Sequence, residues 1–209
     1  MLSALALPPT KGLDMKNFTI TLPLALALIG CGDNAPSNEE IKSALANYQG
    51  RKGCAVSPLF RFPLDAKRAE GNERILAPFT STGLVVLSGA QYELTAKGKA
   101  VHDEQMPGFC FTNSYEITDI KVEKSEPEKD LPPALSGAWY VSLRFVPSNL
   151  EDWASSPELL EVAGRNSLEK IQQDTPYIVR VAKKVGDDKL FVADPRFHFN
   201  PTIGFSMAF

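Results

Sequence analysis

Read from residue 37 onward, the apolar and polar positions fall into alternating helix-like and strand-like blocks. Ile41, Ala44, Leu45 and Tyr48 recur at helical spacing, which leaves one apolar face to pack on a core. Ser37 and Glu40 form a capping-box pattern just ahead of that face, and Gly50 closes the segment. A second helix is predicted over 72–82, burying Ile75, Leu76 and Phe79, with Pro78 as an internal cost. The charged run 65–71 before it reads as loop or a frayed turn. Leu84 to Leu87 make a short apolar strand, which Gly89 and Ala90 turn into the segment from Tyr92 to Thr95.

From residue 109 on, sheet patterns dominate. A strand is predicted at 109–111, around Cys110, and another over 115–122, where Ile117, Ile120 and Val122 alternate imperfectly. The clearest alternation is at 139–146, with Trp139, Val141, Leu143 and Phe145 on one face. Between them, 123–133 is charged and contains proline, so it reads as an exposed connection. Ser148 and Glu151 repeat the capping-box spacing before Trp153. Ser156-Pro157-Glu158 opens a further helix, with proline in the first turn where its missing amide costs nothing. Leu159, Leu160, Val162, Ala163, Leu168 and Ile171 can lie along that helix, which is weakest at Gly164. The segments 177–182 and 190–192 make a hairpin around Gly186-Asp187-Asp188. Finally, Phe197, Phe199, Ile203, Phe205, Met207 and Phe209 share one alternation phase, as a terminal strand covering the core would.

Two local resemblances bear on this pattern. Leu94-Thr95-Ala96-Lys97-Gly98 resembles the wing-entry segment of winged-helix proteins, which commonly read Leu-Thr, two residues, Gly after a helix, and here it follows a helix and then a strand. It implies a winged-helix-like local unit, although a Thr-capped turn ending in Gly serves many folds. The aromatic alternation from Phe197 to Phe209 resembles the last strand of outer-membrane barrels. A barrel needs about eight amphipathic strands, whereas this chain has capped helices, and Pro201 interrupts the phase.

The segment before residue 37 has a different character. Lys16 follows Met15, and 18–29 is apolar or hydroxylic, with Leu22, Leu24, Leu26, Leu28 and Ile29. A positive start, a short apolar core and small residues at the end make a secretory signal, and the core is too short to span a bilayer as a helix. Its end, Leu28-Ile29-Gly30-Cys31, resembles the lipobox of bacterial lipoproteins at every position. The resemblance implies cleavage between Gly30 and Cys31, lipidation of the Cys31 sulfur, and acylation of its new amino group. Two signals already hold a chain firmly to a membrane, so three acyl chains anchor it almost permanently. Because Pro8, Pro9 and Asp14 make an odd preface to a signal, Met15 is the expected initiator and 1–14 are expected to lie ahead of it. The organisation expected is therefore a signal peptide at 1–30, a lipidated tether at 31–36, and a single domain at 37–209. The five residues 32–36 that follow Cys31 reach at most about 18 Å, which keeps the domain near its membrane.

The 179 residues that remain after Gly30 are ample for a core. Loss of Lys11, Lys16 and Asp14 moves the formal charge from −3 to −4, which gives no electrostatic pull toward nucleic acid or anionic lipid. Of the three cysteines, Cys31 is assigned to the anchor, leaving Cys54 and Cys110. An even pair in an exported chain reads as a disulfide, worth about 4 kcal/mol for this loop in the chain-entropy picture. The alternative, a catalytic thiol, needs a base, and only His102 and His198 are at hand.

The candidate chemistry has plain competitors. His102-Asp103-Glu104 is dense, but adjacent side chains point apart on helix and strand alike, so a solvated turn is the reading preferred over a metal site. Alternation puts His198 opposite Phe197 and Phe199, hence exposed. Ser155 and Ser156 lack a nucleophile elbow and serve better as cap residues. Asp187 and Asp188 suit a hairpin tip, since calcium needs more oxygen ligands at loop spacing. No glycine-rich phosphate loop occurs.

These readings combine into an α+β fold, with N-terminal helices and a mostly antiparallel sheet. No catalytic residue, metal or cofactor is assigned. The expectation is a non-catalytic, lipid-anchored envelope protein with a binding or assembly role, not an enzyme. It would face the periplasm and partner the membrane through Cys31, with an envelope protein as a further partner and no nucleic acid. By resemblance, Gly32 after the cysteine, where some enteric bacteria place Asp to retain lipoproteins, leans to the outer membrane. Two alternatives stay open: an inhibitor or immunity-type lipoprotein against a cell-wall enzyme or toxin, and an enzyme acting on envelope components.

Overall fold

A computed structural model describes residues 35–164 and 176–205, which belong to one compact unit. The signal-like segment, the tether up to 34, Leu168, Ile171, Met207 and Phe209 lie outside the described residues. The fold is α+β, with helices set around three mostly antiparallel sheets.

The chain enters through α1 (Asn38–Ala44) and α2 (Ala46–Gln49). The capping box forms as read: the Glu40 amide donates to Ser37 Oγ at 3.3 Å, and the Ser37 amide donates to the Glu40 carboxylate at 2.8 Å. The other Glu40 oxygen accepts from Lys183 Nζ at 2.6 Å, which ties the cap to a distant strand. That bond and the cap amide hold the Glu40 carboxyl down to about 2.

The largest sheet is a meander of β7 (Tyr115–Ser125), β8 (Leu135–Pro147), β9 (Tyr177–Lys184) and β10 (Asp187–Val192), each antiparallel to the next. Trp139, Val141, Leu143 and Phe145 all turn inward and are buried, as their alternation predicts. The imperfect alternation of 115–122 has a cause. Asp119 takes a positive φ of 51°, and the register with β8 shifts between Thr118 and Lys121. A bulge there accounts for the three-residue step from Ile117 to Ile120. Beyond it β7 runs on to Ser125, so part of the expected connection is strand.

A second sheet has the order β11-β1-β6-β5, from β1 (Gly53–Val56), β5 (His102–Asp103), β6 (Gly108–Thr112) and β11 (Ile203–Gly204). β11 runs parallel to β1 and β6 antiparallel to it. Cys54 faces Cys110 across the β1–β6 ladder, and the two form a buried disulfide. Gly53 has no room for a side chain, because a Cβ there would run into the Tyr115 hydroxyl and the Phe111 ring. The Tyr115 hydroxyl and the Trp153 indole N–H are buried with no hydrogen-bond partner among the described residues, and burial pushes the Tyr115 phenol up.

The third sheet, order β2-β4-β3, joins β2 (Leu64–Asp65), β3 (Val85–Ser88) and β4 (Gln91–Leu94). α3 (Glu73–Ser81) comes before the hairpin and α4 (Ala96–Val101) after it, so the Leu94–Gly98 segment expected as the entry to a wing is instead the capped start of a helix. The Leu-Thr-x-x-Gly spacing has a local reason. Thr95 Oγ1 accepts from the Gly98 amide at 3.0 Å and donates to the Gly83 carbonyl at 2.7 Å. This pulls the α4 start against β3 so closely that a Cβ on Gly98 would collide with the Leu84 carbonyl oxygen. The 65–71 run, expected as loop or a frayed turn, holds the end of β2 and a 3-10 turn, Ala66–Ala69, capped by Asp65.

Two other expectations are corrected. Ser148 and Glu151 make no capping box: Asp152–Ser155 is a 3-10 turn without a side-chain cap. The amides concerned are used elsewhere, Glu151 N donating to the Phe111 carbonyl and Ser148 N to the Ser114 carbonyl. The helix opened by Ser156, α5 (Pro157–Ala163), has its Ser156 cap and first-turn Pro157 as read, but it stops at Gly164, whose φ is 75°.

The core holds two neighbouring aromatic groups. Phe60, Phe79, Phe109, Trp153 and Phe205 gather under α3. Tyr48, Phe145, Tyr177, Phe197 and Phe199 gather under the meander. The final alternation thus covers the core with Phe199, Ile203 and Phe205, although among its described residues only Ile203–Gly204 is strand. Asp194 and Asn200 turn the backbone by accepting from the amides of Arg196 and Thr202. Among the described residues, no helix is long and apolar enough to cross a membrane.

Candidate functional site

The structure disperses most of the polar candidates. His102 is the clearest correction: instead of lying in a solvated turn it opens β5, half-buried. Its Nε2 donates to the Phe60 carbonyl at 2.8 Å, and its ring packs edge-on to Phe62 and Phe109. Asp103 turns the other way and pairs with Lys52 at 2.8 Å. That hydrogen bond first, and the Met106 amide second, hold its carboxyl below the usual carboxylate range. Glu104 is exposed. His198 is exposed between Phe197 and Phe199, Ser156 Oγ caps α5 by accepting from Leu159 N at 3.2 Å, and Asp187 and Asp188 sit at the exposed β9–β10 turn. Among the described residues, no three His, Cys, Asp or Glu side chains gather as a metal site. Cys54 and Cys110 form the buried disulfide; Gly30 and Cys31 lie outside the described residues.

A concave site lies where sequence reasoning placed none. At the end of β1 the chain turns, with Ser57 N donating to the Pro107 carbonyl and Phe60 N to the Ser57 carbonyl. Opposite, Asp103 Oδ1 accepts from the amides of Gln105 and Met106 at 3.0 and 3.1 Å, fixing the turn into β6. On the third side, Phe205 N donates to the Val56 carbonyl at 3.1 Å. Between these three segments opens a groove of about 650 Å³, lined chiefly by Val56, Pro58, Arg61, Met106, Pro107 and Phe205. A smaller hollow of about 240 Å³ adjoins it across Gly204 and Phe205, bounded by Arg74, Ile75 and Val162.

Arg61 and Arg74 are both exposed, and neither has an ion pair or hydrogen bond with another described residue. The site therefore offers apolar contact and a guanidinium donor fork. Ser57 is buried, with its Oγ accepting from Leu59 N at 3.3 Å. Such a surface suits recognition. Sequence reasoning missed it because its walls come from three turns far apart in the chain, and no local pattern records their meeting.

Comparison with known proteins adds no family: no protein-family model matches the chain, no curated protein matches it, and no solved structure matches it.

Proposed function

We propose that this chain is a non-catalytic, lipid-anchored protein of the bacterial cell envelope, held at Cys31 and binding through the groove beside Arg61. The carrying observation is the Leu28-Ile29-Gly30-Cys31 box at the end of a signal-like stretch. The Cys54–Cys110 bridge supports it, since a structural disulfide persists in an oxidising compartment such as the periplasm. With the third cysteine set apart for the lipid, every cysteine of the chain has a use. The groove supplies the binding role, being chiefly apolar with the Arg61 guanidinium, which has no partner among the described residues, at its edge.

The test is metabolic labelling with palmitate followed by membrane fractionation. The full chain is expected to take label and sediment with membranes, and Cys31→Ser to lose label and appear in the soluble fraction. Unchanged labelling of Cys31→Ser would overturn the anchor.

A further inference from the structure

We infer that the larger groove binds a long-chain carboxylate, with the acyl chain on Met106, Pro107 and Phe205 and the carboxylate on Arg61. This rests on the groove being the binding site, and is independent of the lipid on Cys31.

Three observations carry it. The first is the lining. Its volume of about 650 Å³ is that of a small-ligand site, and its walls are chiefly apolar. Met106, unbranched and adaptable, suits a flexible chain better than a rigid ring. The second is shape. Groove and hollow adjoin at Gly204, where a Cβ would meet no atom within 4 Å, so the path continues over open backbone. An elongated two-lobed path matches an extended chain. The third is charge. Arg61 is the charged side chain lining the larger groove among the described residues, and it is unengaged. A guanidinium matches a carboxylate with two parallel N–H···O bonds. The concavity beside Phe62 and Leu94 differs on this point, for Glu93 and Glu104 line it together with Lys99 and disfavour an anion.

The experiment is calorimetric titration of the full chain carrying Cys31→Ser, so that no lipid of its own is present. The probes are octanoate, decanoate and dodecanoate, with decanol as a neutral arm and an anionic lysophospholipid as a headgroup arm. Affinity is expected to rise about fourfold for each added methylene, as burial of a CH₂ implies. Arg61→Gln should weaken decanoate about tenfold, the loss of a charge-assisted bond, with Arg61→Lys recovering part of it. Gly204→Val, which fills open space on a strand, should abolish binding with an unchanged Tm.

Several results would overturn the inference. Decanol binding as tightly as decanoate removes the role of Arg61. Tighter binding of the lysophospholipid than of dodecanoate reassigns the anion to a headgroup. Binding that develops only after deletion of 206–209 makes the groove a seat for those residues. Absence of binding by every long-chain anion also defeats it; if Gly204→Val then still loses an envelope protein that the unaltered chain captures, the binding reading survives without the carboxylate.

Discussion

The meander β7–β10 and the small sheet β2-β4-β3 are built from similar apolar residues and reach opposite outcomes. On β8, apolar side chains at every second position are all buried, and the partners on β9, Val179 and Val181, are buried with them. On β3, the run Val85-Val86-Leu87 is continuously apolar, yet only Val85 is buried; Val86 is 46% and Leu87 52% exposed. An uninterrupted apolar run reads as a strand covered on both faces, but β3 lies at the edge of its sheet. Apolar content decides burial only where another layer is present to receive it. The small sheet reaches the core only through Leu64 and Val85, with Tyr92 and Leu94 packed at its margin, and close backbone contacts at Thr95 and Gly98 tie it to α4.

The contrast can be broken from either side. Phe145→Ala, which removes a ring stacked 4.1 Å from Phe199 in the meander's core, is expected to cost about 3–5 kcal/mol. Leu87→Ser in the small sheet should stay within about 0.5 kcal/mol. Urea unfolding of both variants checks the pair, and comparable losses would show the small sheet to be core.

Gly98→Ala should cost about 1–3 kcal/mol by overpacking against the Leu84 carbonyl, although it adds only a methyl group to a helix that alanine ordinarily favours. Hydrogen exchange should localise the loosening to 84–101. A stabilised Gly98→Ala would mean that the close approach does not hold in solution.

Tyr115→Phe is expected to act in the other direction. It removes a buried hydroxyl that has no partner among the described residues, and should stabilise by about 1 kcal/mol, read as a higher Tm. A lower Tm would show that the hydroxyl is bonded after all.

The smallest effect concerns Glu40. Its carboxyl sits at about 2 in the folded chain against an ordinary 4.5, so its contribution is complete above about pH 4.5 and lost as pH falls through about 2. Wild type should lose more Tm across that window than Glu40→Gln; parallel curves would mean the bond to Lys183 is not formed. The carboxylate is 38% exposed, and solvent keeps the effect small.

What was legible in the sequence is what neighbours in the chain determine. Ser37 with Glu40, Ser156 with Pro157, the alternation of β8 and the turn at Gly186 needed only residues a few positions apart. The Cys54–Cys110 bridge was legible from counting. The misreadings arose where a distant partner took over. Glu151 gave its amide to Phe111 rather than to a cap, and His102 found the Phe60 carbonyl in place of solvent. The irregular spacing of Ile117 and Ile120 was visible, but its meaning as a bulge depended on register with β8. The groove was invisible for the same reason, since β11 pairs with β1 across some 148 positions.

That last pairing bears on the order in which the chain can fold. Phe199 stacks on Phe145, Phe205 lies against Phe60 and Phe79, and Ile203 completes the ladder on β1. Both aromatic groups thus stay open until residues 199–205 arrive, after every other described element has been made. A nascent chain shorter than this has no finished core to lock, so both aromatic groups stay pliable during synthesis and set only when the last described segment is in place.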